Sequence, residues 1–190
     1  MIYIGCRDAK QIEATELIAQ MDNWVNIVSK RGYPYKFTDI NQFNKFKSEL
    51  KSGLDEIGVA TSDVRIQGSS LRTPNANDLD VAVVVDNNSF TQLLKNRFSG
   101  RITRQNQNID IINSSQTELI QLVNDIKLNP TNYNAQAKTF EHAFSTGKIR
   151  PQDIDGLNSL KDLLKSRYGD IDLSIIKGVG DFDLKPYIKL

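Results

Sequence analysis

The chain has 190 residues, enough for one well-packed domain and too few for two full ones. Its 24 basic and 23 acidic residues nearly cancel, which excludes a global positive field directed at polyanions, and its single cysteine, Cys6, excludes an intrachain disulfide. No apolar run approaches the roughly 20 residues needed to span a bilayer, and the first residues lack a basic-then-apolar signal pattern, so the expectation is a soluble chain that would need a larger parent or another route for export.

In chain order, residues 8 to 29 carry Ile12, Leu17, Ile18, Met21, Trp24, Val25 and Val28 at helical spacing, which predicts a helix packed on a core. Residues 30 to 37 alternate basic and aromatic side chains around Gly32 and Pro34 and read as a connector. Thr38 or Asp39 is placed to cap a second helix, with Ile40, Phe43, Phe46, Leu50, Leu54 and Ile57 on one stripe and Gly58 as its stop. These elements make residues 1–63 a helical segment packed on a core of residues 64–190.

Val64 to Ile66 and Val81 to Val85 predict two strands, and Phe90 to Phe98 a short helix between Asn87 and Gly100. Arg101 to Ile112 reads as a third strand. Ser115 and Glu118 form a capping box for a helix to about Leu128, and residues 132–146 predict another, stopped by Gly147. Pro151 opens a further helix with Ile154, Leu157, Leu160, Leu163 and Leu164 inward, and residues 171–176 predict the last strand. Helices, strands, helices and a strand in this order predict an α+β fold with a small mixed sheet.

The chemistry concentrates in residues 64 to 86. Gly68-Ser69-Ser70 follows a strand directly, where glycine permits close approach of the backbone to a ligand and serine offers hydroxyls. Asp78 and Asp80 then lie on one face of the next strand, because side chains alternate, with Cα atoms roughly 6 to 7 Å apart. Two carboxylates so placed repel unless one is protonated or a cation neutralises them. Hard oxygen ligands suit Mg²⁺, which commonly takes one or two carboxylates together with substrate phosphates. Arg72, in the connection between turn and strand, is placed to neutralise phosphate charge. No Ser-His-Asp order, Cys/His metal cluster or P-loop lysine motif is present in the sequence.

At Gly68-Ser69 and Asp78-Leu79-Asp80-Val81 the chain resembles the polymerase β-type nucleotidyltransferase superfamily, with two departures. Gln67 stands where an apolar residue is usual, and the spacer of residues 70–77 is short. The resemblance implies a nucleotidyltransferase fold and two Mg²⁺ ions, or Mn²⁺, held by Asp78, Asp80 and a third carboxylate. It also implies an NTP substrate positioned by Gly68 and Ser69. Asp110 and Asp172, each flanked by apolar residues in a predicted strand, both fit the third position.

A second resemblance favours Asp172. Phe140-Glu141-His142-Ala143, Gly147-Lys148-Ile149, residues 171–178, Phe182-Asp183 and Pro186-Tyr187-Ile188 look like the nucleotidyltransferase domain at the C-termini of bacterial polymorphic toxins of the Rhs and contact-dependent types. That likeness implies transfer of a nucleotide to a host target, first the 3′ end of tRNA, then a protein hydroxyl or a small molecule of aminoglycoside type. It further implies a cognate immunity protein and action in the cytoplasm of a target bacterium. Lys138, His142 and Lys148 are candidates to line the nucleotide or acceptor side. A module that binds nucleotide without catalysis is the rival from another class.

Overall fold

The computed structural model describes residues 14–59, 62–178, 182 and 185–190. Among these residues, seven strands and six helices are α+β in arrangement: β1 Val64–Gln67, β2 Leu79–Val85, β3 Ile102–Arg104, β4 Gln107–Ile109, β5 Lys148–Ile149, β6 Ile171–Lys177 and β7 Ile188–Lys189. The helices are α1 Ala14–Asn23, α2 Ile40–Glu56, α3 Asn87–Phe98, α4 Gln116–Leu128, α5 Ala135–Thr146 and α6 Leu157–Tyr168. Five strands form one mixed sheet in the order β5-β6-β2-β1-β7, in which β2 and β6 run parallel and every other pair is antiparallel.

Alternation divides this sheet into two unlike faces. Val64 and Ile66 of β1, Leu79, Val81 and Val83 of β2, and Ile171, Leu173 and Ile175 of β6 point into a continuous buried cluster. The same cluster takes in Val28, Phe43, Phe46, Leu50 and Leu54, so residues 14–59 and the sheet share one core. Phe37, Phe43, Phe46 and Tyr168 meet at ring-centroid distances of 5.1 to 6.1 Å, which joins α2 to α6. On the opposite face lie Gln67, Asp80, Ala82, Val84, Asp172, Ser174 and Ile176.

The helix starts follow from local chemistry. Asp39 accepts from the N–H groups of Asn41 and Gln42, Asp86 from those of Asn88 and Ser89, and Ser115 with Glu118 closes a full capping box. Gly147 ends α5 in the left-handed conformation that favours glycine.

Four expectations are corrected. Residues 102–109 form a two-stranded hairpin rather than one strand, because Gln105 and Asn106 both adopt positive φ, 47° and 66°, as a type I′ turn requires. The first helix continues from α1 through a π-helical turn, Trp24–Val28, to Arg31, and only part of its apolar stripe, Trp24 and Val28, packs on the core. Ile18, Met21 and Val25 are 63%, 46% and 51% exposed, while Gln20 turns inward; Ile12 and Cys6 lie outside the described residues. Ile40, in the first turn of α2, and Leu163 on α6 also face solvent. Among the described residues, no helix is long and apolar enough to cross a membrane.

Candidate active site on the open face of the sheet

The site is assembled by strand register. Parallel pairing sets Asp80 of β2 against Asp172 of β6, and antiparallel pairing sets Gln67 of β1 against Asp80. Three strands thus bring Gln67, Asp80 and Asp172 into one row across the open face. Asp78 stands immediately before β2.

Gly68 ends β1 with φ +82°, and a Cβ built on it would meet Asp80 Oδ2 at 1.8 Å. Only glycine permits this backbone to lie against the carboxylate. From there the chain enters a 3₁₀ turn, Ser69–Leu71, in which the Ser69 carbonyl accepts from the N–H groups of Arg72 and Thr73 at 2.8 and 2.9 Å. Ser69 is half-buried at the mouth of this turn, whereas Ser70 is fully buried and its hydroxyl has no hydrogen-bond partner.

Burial, reinforced by the charges of Asp78 and Asp172, pushes the Asp80 carboxyl up to about 7, against the opposing pull of Lys148 and Arg72. Its Oδ2 is buried and accepts no hydrogen bond. Lys148, at the start of β5, brings its ammonium to 3.1 Å from Asp172 Oδ2. Arg72 is 6% exposed and donates from Nε to Gln20 Oε1 at 3.2 Å, while its carbonyl accepts from Asn23 Nδ2 at 3.0 Å. The helix that begins with α1 therefore clamps the loop between Gly68 and Asp78.

The other candidates are placed elsewhere. Asp110 is exposed beyond β4, outside the five-stranded sheet, where it accepts from the Ser99 hydroxyl and from the Ile112 N–H, contacts that hold its carboxyl low. Lys138 and His142 lie exposed on α5, one turn apart, and neither joins the carboxylate row by a hydrogen bond or ion pair among the described residues. Asp183 lies outside the described residues.

Among the described residues, no three Asp, Glu, His or Cys side chains stand close enough to enclose a metal ion as they lie. The donor set still fits a hard divalent cation. Asp80 offers a buried oxygen with no donor, its neighbours Asp78 and Asp172 add negative charge, and Mg²⁺ completes its shell with water and phosphate oxygens rather than an all-protein cage.

Three residues that meet the site, Gln67, Phe182 and Gln20, were not among the candidates read from the sequence. Gln67 donates from Nε2 to the Phe182 carbonyl at 2.9 Å, and the Phe182 ring centroid lies 5.3 Å from Lys148 Nζ. The signal for the first was visible as a polar residue at a position expected to be apolar. Gln20 gave no signal, since its role depends on a contact with a loop far along the chain.

No protein-family model matches the chain, and no curated protein or solved structure matches it either.

Proposed function

We propose that the chain is a metal-dependent nucleotidyltransferase. The observation that carries the reading is the meeting of Asp80 with Asp172 in register, with the Gly68 backbone packed on the Asp80 carboxylate. Asp78, Asp80 and Asp172 would hold Mg²⁺ or Mn²⁺, as two ions in the loaded site. A divalent cation bound there supplies Lewis acidity at the α-phosphate and lowers the pKa of the attacking hydroxyl. The residues of the chain do the rest. Gly68 and Ser69 present backbone N–H groups and a hydroxyl to the triphosphate, and Arg72 and Lys148 offset its charge. Lys138 and His142 have no part in this reading.

The acceptor comes from the toxin resemblance: the 3′ end of tRNA in the cytoplasm of a target bacterium, with an immunity protein as the inhibitory partner. A protein hydroxyl and a small molecule rank behind it. Cell extract incubated with Mg²⁺ and each α-³²P nucleotide, with RNA and protein resolved separately, tests this directly. Label enters RNA with the parent chain and not with the Asp80→Asn variant; label in protein instead moves the acceptor, and transfer by Asp80→Asn at the parent rate removes the metal assignment. Expression in bacteria arrests growth if the toxin role is right, and Asp78→Ala relieves the arrest.

One observation favours a module that binds nucleotide without transferring it: Lys148 already supplies a cation to Asp172. That reading requires nucleotide binding by the parent and transfer onto no acceptor.

A further inference from the structure

The open face of the sheet has a second half. Along the same strands, beyond the carboxylates, come Ala82 and Val84 of β2 and Ile176 of β6, all buried, and the aromatic side chain packed on them is Phe182. Phe182 is tied to both ends of the carboxylate row. Its carbonyl is held by Gln67, the residue opposite Asp80, and its ring lies beside Lys148, which is bonded to Asp172. The ring itself is half-buried, packed on the apolar cluster but still reached by solvent.

We propose that Phe182 is the platform on which the nucleobase of the substrate stacks. The inference rests on the nucleotidyltransferase reading and adds to it the site for the base. Carboxylates, the Gly68 turn and the cationic side chains grip only the charged end of a nucleotide. The base needs a flat apolar surface within reach of that grip, and an aromatic ring supplies one that accepts any of the four bases, since each has a π face. Gln67 is then a positioning residue. It is 7% exposed; its Nε2 is committed to the Phe182 carbonyl, which fixes where the ring begins, while its Oε1 is buried without a hydrogen-bond partner. The same contact gives a reason for a polar side chain beside Gly68.

The test compares nucleotides with their charged end alone. Binding of ATP, GTP, CTP, UTP and inorganic tripolyphosphate is measured by calorimetry on the full chain with Mg²⁺ and no acceptor. Phe182→Leu keeps apolar contact with Ala82, Val84 and Ile176 but removes the ring. All four nucleotides should weaken about tenfold, as loss of one stacking contact does, with tripolyphosphate unchanged. Phe182→Tyr should restore nucleotide affinity, and Gln67→Leu should weaken nucleotides without touching tripolyphosphate. Equal weakening of nucleotides and tripolyphosphate would overturn the platform, because the ring would then act through Lys148. Unaltered nucleotide binding in Phe182→Leu would overturn it as well, leaving the parent's nucleotide binding intact. A parent that binds none of the five ligands removes both the platform and the nucleotidyltransferase reading.

Discussion

Gly68 carries the tightest constraint at the site. Its positive φ is strained for any L side chain, and the atom a Cβ would strike is a metal-ligand candidate rather than the far end of a flexible chain. Gly68→Ala must therefore move β1 away from β2 or swing the Asp80 carboxylate out of the row. Displacement of a reacting group by about 1 Å costs on the order of 100-fold in rate. The expected outcome is a folded variant, by circular dichroism, with label transfer reduced by that order; transfer within a few-fold of the parent would mean that the Gly68 backbone does not position Asp80.

Residue by residue, the sequence announced what alternation and glycine chemistry control. Asp80 on the open face, and a glycine where the backbone meets its carboxylate, need only a strand and a turn; Asp78, just before β2, is not placed by strand alternation. Asp172 as the neighbour of Asp80 is different, because parallel pairing joins segments far apart in the chain and no local pattern encodes its register. The neighbouring toxin-like motifs, not the spacing, favoured Asp172 over Asp110.

At the scale of elements, the helical run from Ala14 to Arg31 shows why a hydrophobic stripe misleads. A π turn adds a residue to one helical turn and rotates the residues beyond it, and Gln20 and Asn23 are drawn inward by Arg72. Polar contacts to one loop thus decided which side faces in. Urea unfolding should separate the two sides. Val25→Lys is expected to change stability by no more than about 0.5 kcal/mol, as exposed positions do, whereas Val28→Ala, at a fully buried position, should cost roughly 2 kcal/mol. Equal losses would place Val25 in the core.

The β3–β4 hairpin was illegible for a related reason. Its turn is Gln105-Asn106 rather than the Asn-Gly or Asp-Gly pair that usually announces a type I′ turn, so the sequence reads as one unbroken strand. The caps of α2 and α4 and the glycine stop of α5 were legible because each is settled within a single turn.

Across the whole molecule, the carboxylate row couples stability to pH. Asp80 is raised in the fold to about 7 from an ordinary carboxylate value, so between about pH 4 and 7 the folded state holds more protons than the unfolded chain. Stability without metal therefore falls as pH rises through that window and levels off above the folded value. Thermal melting in EDTA should show this fall in the parent and a flatter profile in Asp80→Asn, which keeps the shape without the charge. Above pH 7 the variant should be the more stable of the two in EDTA, by about 1 to 2 kcal/mol, and Mg²⁺ should raise the melting temperature of the parent only. A parent profile as flat as that of the variant would remove Asp80 as the titrating group.

The parallel seam between β2 and β6 also bears on the order of events during synthesis. Asp78 and Asp80 leave the ribosome long before Asp172, and the helices α3, α4, α5 and α6 separate β2 from its partner strand. A nascent chain that has not yet exposed residues 171–177 has β1, β2 and the Gly68 turn, but it lacks β6, the strand that pairs with β2 and joins it to β5. The carboxylate row is thereby a late product of folding, complete only when the chain beyond α6 has emerged and docked. Synthesis itself withholds the site until the rest of the core is in place to support it.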